Sequence, residues 1–212
     1  MADWPTIASL ATAAGTLVLA AATFASVRSA NRAARVAEMA LLIGVRPLLV
    51  PSRLQDPAQK VLWQEGHVER LEGGRAVAHA TDEAVYLAAS VRNAGNGVAV
   101  LHGWYAHPEW RPGQEDHVPL DDFRRLSRDI FIASGEPGFW QGTVRDPADP
   151  LWDRMAKAIE ERERLTVDVL YGDHEGGQLA IVRLALSPLG DGADGYLCSS
   201  SRYWNIDRPD PR

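Results

Sequence analysis

The sequence predicts a mainly β protein tethered by one transmembrane helix, and three observations carry that prediction. Residues 4–27 contain no charged side chain, and Arg28, Arg32 and Arg35 follow directly. From Arg46 onward the chain breaks into short β-like runs separated by turn residues. One stretch, Leu151–Arg164, carries helical spacing instead. The expected organisation is a transmembrane and membrane-proximal helix over 1–45, then an antiparallel β-sandwich or barrel with one inserted helix over 46–212.

The opening segment is long enough to span. At about 1.5 Å per residue it reaches roughly 36 Å, against a hydrocarbon core of about 30 Å. Ile7, Leu10, Leu17, Val18, Leu19, Phe24 and Val27 are its strong apolar residues. They supply roughly −2 to −4 kcal/mol of insertion free energy in total. Pro5 lies in the first turn, where its missing N–H does no harm. Trp4 falls at headgroup level, so Trp4, Arg28, Arg32 and Arg35 are the membrane-flanking residues. A buried soluble helix and a cleaved signal peptide are the competing readings. Signal peptides carry positive charge before the apolar run, and only Asp3 and the terminal amine precede this one.

Arg28, Arg32, Arg35, Arg46 and Arg53 all follow the span, and no Lys or Arg precedes it. The positive-inside rule then places the N-terminus outside and the C-terminal domain in the cytoplasm, on the inner membrane. Cys198 is the single cysteine, as suits a reducing compartment. Ala11 with Gly15, Ala8 with Thr12 and Ala21 with Ala25 form small-residue pairs four apart. Such spacing allows two spans to approach closely, so a homo-oligomer through this face is one expectation.

Residues 28–43 hold strong helix formers and no Pro or Gly, so the helix is expected to continue. Arg28, Arg32 and Arg35 share one face, while Val27, Ala30, Ala34, Ala37 and Leu41 share another. The Arg stripe serves either anionic lipid headgroups, at about 1 kcal/mol per residue, or topology alone. Gly44 stops the helix, and Pro47 forces Arg46 into an extended conformation.

The β-like runs are Arg46–Arg53, Lys60–Gln64, Arg75–Ala80, Val85–Arg92, Val98–His107, Asp129–Ala133, Gly138–Val144, Thr166–Tyr171, Leu179–Leu186 and Tyr196–Trp204. Val85, Leu87, Ala89 and Val91 share one face, and two further runs alternate cleanly as a hairpin. Val167, Val169 and Tyr171 share a face, answered by Ala180, Val182, Leu184 and Leu186. That register sends Asp168 to the opposite, outward face beside Arg183, as an exposed pair worth under about 1 kcal/mol. Leu151–Arg164 places Trp152, Met155, Ala156 and Ile159 on one side, and Asp149-Pro150 suits a helix start.

Charge narrows the partners. The chain has 22 basic and 28 acidic residues, and residues 1–53 hold five of the former and two of the latter. The remainder carries 17 basic against 26 acidic side chains, a net −9. Such a domain is a poor nucleic-acid ligand and is repelled by an anionic leaflet.

Few motifs carry chemistry. Asn93-Ala94-Gly95-Asn96-Gly97 reads as a strand turn in which Gly and Asn supply positive φ. A phosphate cradle would need a helix after it, and Val98–Trp104 reads as strand. Tyr171-Gly172-Asp173-His174-Glu175-Gly176-Gly177 is the most polar cluster. Asp173, His174 and Glu175 are the candidate metal or proton-transfer residues; His102, His107 and His117 are available as further ligands, but nothing in their spacing recruits them. The competing reading is a solvated hairpin loop. Ser199, Ser200 and Ser201 lack a nucleophile-elbow context. Trp104, Tyr105, Trp110, Phe139, Trp140, Trp152, Tyr203 and Trp204 are expected in core packing or at strand ends, with some forming an exposed recognition patch.

These features together resemble a known group. A single N-terminal span precedes Arg46-Pro47-Leu48-Leu49-Val50, then Arg92-Asn93-Ala94-Gly95-Asn96-Gly97-Val98-Ala99, then a hairpin with Tyr171, Asp173 and Gly176. The combination is similar to a group of uncharacterised bacterial membrane-anchored proteins. The resemblance implies an immunoglobulin-like sandwich and supplies no catalytic residues. The expected function is that of a membrane-anchored, non-enzymatic binding protein with the bilayer and another protein as partners and no cofactor. A metal-dependent or hydrolytic module centred on residues 171–177, and a membrane-linked sensor, are the alternatives.

Overall fold

A computed structural model describes residues 3–209 except 112, 114, 115, 191 and 192. The chain divides into two compact units, Met1–Gly44 and Val45–Arg212. The first contains one helix, α1 (Trp4–Gly44), of 41 residues. It ends at the glycine expected to stop it. At about 1.5 Å per residue α1 is roughly twice as long as a hydrocarbon core is thick. Four of its hydroxyls are satisfied internally: Ser9, Thr12, Thr16 and Thr23 each donate to the carbonyl four residues earlier, at 2.8–3.0 Å. They need no water, which lowers the cost of placing them in lipid. Among the described residues, Trp4–Leu42 is long and apolar enough to cross a membrane.

The second unit is mainly β. Its strands are β1 (Leu49–Pro51), β2 (Gln59–Leu62), β3 (Val68–Leu71), β4 (Arg75–Ala80), β5 (Val85–Asn93), β6 (Ala99–His107), β7 (Arg124–Ile132), β8 (Pro137–Val144), β9 (Leu165–Gly172), β10 (Leu179–Pro188) and β11 (Tyr196–Asn205). The helix α2 (Pro150–Glu160) separates β8 from β9. All ladders are antiparallel. They run in the order β1-β5-β4-β11-β10-β9-β6-β7, with β8 also on β5, and β2 with β3 forms a separate two-stranded sheet. The large sheet curls, because residues from both ends of that path meet in one core. Leu87 and Trp140 from one end pack in the same cluster as Leu101, Val167 and Leu184 from the other.

Ten strands match the ten β-like runs in order, and β3 is the addition. The β2–β3 hairpin packs Val61, Trp63 and Leu71 onto Ala84, Tyr86 and Ala88. It therefore covers the outer face of β5, whose inner residues Val85, Leu87, Ala89 and Val91 belong to the main core. Burial on both faces explains why β5 is apolar almost throughout. The helix α2 is shorter than Leu151–Arg164. Asp149 caps it by accepting from the Leu151 amide at 2.9 Å, and Pro150 occupies its first turn. Arg162 takes a φ of 53°, which ends the helical path.

The turn at 93–97 is structural for a reason other than the expected one. Gly95 and Gly97 are not among the described residues with positive φ. A Cβ on Gly95 would lie 2.3 Å from the Arg46 carbonyl oxygen, and one on Gly97 would lie 1.8 Å from that of Val45. Glycine is needed so that the chain leaving α1 can cross this turn at backbone contact. Asn93 ties the crossing together, donating to Gly97 and Ile132 carbonyls and accepting from the Leu48 and Gly95 amides.

The β9–β10 hairpin has the expected register: Val167 faces Leu184, Val169 faces Val182 and Tyr171 faces Ala180, all in the core. Asp168 does face Arg183, but the pair is buried and not exposed. Nε of Arg183 donates to Oδ1 of Asp168 at 2.6 Å and Nη2 donates to Oδ2 at 2.7 Å, with both side chains almost fully covered. The outward face is covered at this rung by Arg111 and Asp116, which lie between β6 and β7. The Arg111 amide donates to Thr166 Oγ1, and the Arg111 and Asp116 carbonyls accept from Arg183. On the same face the guanidinium stacks 4.7 Å over Trp204, and His107 lies 3.3 Å from Asp168. Strand alternation locates a face but does not show what covers it.

Burial pushes the Asp168 carboxyl up, yet hydrogen bonds from Arg183 and His107 outweigh it and hold the group below its ordinary 3.8. A depressed folded value means that its stabilisation is complete above that ordinary value and is lost as pH falls through the folded one. Acid titration of unfolding should therefore show no loss from this site near neutrality and a loss below about pH 4 that Asp168→Asn removes. Asp168→Ala strands the buried guanidinium and should cost about 3–5 kcal/mol in denaturant unfolding. The buried amide of Gln141 makes no hydrogen bond through either polar atom among the described residues. Gln141→Met should accordingly raise stability by about 1 kcal/mol in the same assay.

Candidate functional site

The site that concentrates chemistry-bearing groups lies where the β2–β3 hairpin meets β4. The Trp63 amide donates to the His67 carbonyl and the Gly66 amide to that of Trp63, at 3.0 Å each. Gly66 closes this turn with a φ of 87°. His67, Glu69 and Leu71 then alternate onto the hairpin's inner face. Leu71 is buried against β5, while His67 and Glu69 stay half-buried at the open end. Across from them His79 sits on β4, opposite Tyr86 of β5.

Tyr86 organises the group. The His67 ring stacks on it at 4.1 Å between centroids and 12° between planes, and tilts against Trp63 at 5.3 Å. Trp63 is itself fixed, edge-on to Tyr86 and donating from Nε1 to the Gly142 carbonyl. Burial holds the Tyr86 phenol above its ordinary value, so His67 rests on a neutral ring. Oε1 of Glu69 lies 3.1 Å from Nε2 of His67 and 3.5 Å from Nδ1 of His79. The three ligand atoms fall within 4.8 Å of one another, the one such group of His, Cys, Asp or Glu found among the described residues.

Two clefts open beside His79, between β4 and α2. One, of about 490 Å³, is lined by Glu69, His79, Glu160, Arg162 and Tyr196 among others. The other, of about 610 Å³, runs past His79, Asp82, Trp152 and Glu160. Glu160 borders both, and Asp194 and Arg162 share the first, so His79 looks onto a wall of mixed charge with an acidic excess.

The residues singled out in the sequence have other surroundings. Asp173 is buried and its Oδ1 accepts from the Gly177 and Gln178 amides at 2.9 and 3.1 Å, closing its own loop. His174 and Glu175 are exposed, 4.0 Å apart. His102 is exposed, His107 is buried beside Asp168, and His117 packs edge-on to Trp204. Ser199, Ser200 and Ser201 lie within β11, and the Cys198 thiol is pushed up to about 12 by burial, so it stays protonated. Trp104, Trp140, Trp152 and Trp204 are buried, and Trp110 is the exposed tryptophan of the domain. Trp4, Arg28, Arg32 and Arg35 lie exposed on α1.

The His67-Val68-Glu69 spacing is the signal that sequence reasoning missed. It places two ligands on one face only if the segment is a strand, and no strand was expected there. For the 171–177 loop, His174→Ala should change unfolding free energy by less than about 0.5 kcal/mol. Gly176 has a φ of 77° with open space around it, so Gly176→Val should cost about 1–2 kcal/mol through backbone strain alone. Comparison with family models, with curated proteins and with solved structures finds no match to this chain.

Proposed function

We propose that this chain is a single-span protein of a bacterial inner membrane whose cytoplasmic domain acts by binding another protein. The observation that carries the reading is α1. Its most apolar window has no residue buried inside the protein, although most large apolar side chains of the second unit are packed away. A 41-residue helix with that exposure needs an apolar solvent, and a bilayer supplies one. Arginines on one side only favour the cytoplasmic orientation. The curled sheet, with opposed strand layers around a single core, supports the immunoglobulin-like reading and the likeness to bacterial membrane-anchored proteins.

Binding is favoured over catalysis at the residues first considered. Asp173 is engaged by its own loop, the Cys198 thiol is neutral and buried, and the serines sit in a strand. The acidic domain favours a protein over a nucleic acid. A specific contact also suits the sensor reading. Arg46, two residues beyond α1, grips Asp207 through two hydrogen bonds of 2.9 and 2.7 Å and Asn205 through one of 2.9 Å. Movement of the C-terminal strand would therefore pull on the segment that leaves the helix.

Membrane extraction and reporter fusions test this reading. The chain should stay in the membrane fraction after alkaline carbonate treatment, and a reporter fused after Arg212 should register as cytoplasmic. Replacing Arg28, Arg32 and Arg35 together by Glu should scramble or invert the orientation. Release by carbonate, or an external reporter signal, would overturn the proposal.

A further inference from the structure

We infer that His67, Glu69 and His79 form a binding site for a divalent transition cation of the zinc type. Two imidazoles and one carboxylate are borderline donors that suit such a cation, and a three-ligand His/His/Glu set leaves a fourth position open. Zinc–nitrogen and zinc–oxygen bonds of about 2.0–2.2 Å place adjacent ligands of a tetrahedron roughly 3.3–3.5 Å apart. The Glu69 oxygen lies 3.1 Å from the His67 nitrogen and 3.5 Å from the His79 nitrogen, so two edges of that tetrahedron are already set. The remaining edge, between the histidines, closes as a cation draws them together.

The surroundings favour a built site over a chance meeting of surface groups. His67 is locked by its stack on Tyr86 and its contact with Trp63, and both of those rings are buried. Glu69 is set by the β2–β3 ladder, where it faces Val61. His79 has a half-exposed side chain and can rotate onto the cation. One mobile ligand completing two fixed ones gives the ion a way in from solvent. Glu69 and His79 also line the cleft of about 490 Å³, so the open position faces a space that can hold water or an exogenous ligand. Glu160 and Asp194 on its wall outnumber Arg162 and leave a net negative charge that favours a cation. This site is separate from the loop of residues 171–177 and does not depend on how the chain is oriented in its membrane.

The test is zinc binding by the full chain in detergent after chelator stripping, with Zn²⁺ alone as the probe. Metal analysis after equilibrium dialysis should give one zinc per chain, and the unfolding midpoint should rise with zinc. Glu69→Gln and His79→Ala should each weaken binding at least about tenfold, and His174→Ala should leave it unchanged. Cobalt in place of zinc should give visible absorption of a tetrahedral centre in the parent and lose it in both variants. His67 is left intact because its ring packs against the core. The zinc-free unfolding midpoint of His79→Ala should match that of the parent, which separates ligand loss from misfolding. Zinc below stoichiometry in the parent, binding that survives both variants, or binding lost with His174→Ala would overturn the site.

Discussion

A carboxylate and a guanidinium facing each other at one rung of the β9–β10 ladder constrain most of the domain. Asp168 and Arg183 lie on the face opposite the main core, so their burial requires a second cover there. Arg111 and Asp116, between β6 and β7, provide it at this rung, and their carbonyls accept two further guanidinium protons. A one-residue slip of either strand would bury an unpaired charge as well as turn valines outward. The pair thus adds a charge-matching condition to the hydrophobic one, and both select the same register. Whether it adds net stability over an apolar pair is a separate matter, because desolvating two ions offsets much of their attraction.

The same double covering recurs at the other end of the sheet with apolar chemistry. There the β2–β3 hairpin covers the outer face of β5 through Val61, Trp63 and Leu71. Aromatic packing under a hairpin fixes its inner face to within small displacements, and His67 inherits that order through Tyr86. The metal-ligating group is therefore a by-product of how the hairpin is seated. Leu71 and Trp63 anchor the buried end, while His67 and Glu69 occupy the end where packing gives out and the clefts begin.

Local pattern was a good guide wherever one covering layer decided the outcome. The long apolar helix, its stop at Gly44, the valines of β9 and the inner residues of β5 follow from hydropathy, turn chemistry and period-two alternation. Three features did not follow, each for want of a long-range contact. The burial of Asp168 depends on Arg111 and Asp116, more than fifty residues earlier, whose backbone carbonyls meet its guanidinium partner. Gly95 and Gly97 answer to the passing backbone of Val45 and Arg46 and not to their own φ. The strand β3 has polar Glu69 and Arg70 at its centre, which masks its alternation, and without β3 the juxtaposition of His67 and Glu69 with His79 is invisible. Asp173, His174 and Glu175 are adjacent in sequence but do not converge, since neighbouring residues in a loop rarely aim at one point.

The most direct measurement of this architecture is a double-mutant cycle between Asp168 and Arg183. Unfolding free energies of the full chain would be compared for the parent, Asp168→Ala, Arg183→Ala and the double variant. A buried pair predicts a coupling well above the roughly 1 kcal/mol reached by exposed pairs, with the double variant more stable than additivity allows. A coupling below about 1 kcal/mol would mean that the outer face of β9 and β10 is open to solvent, contradicting the covering layer.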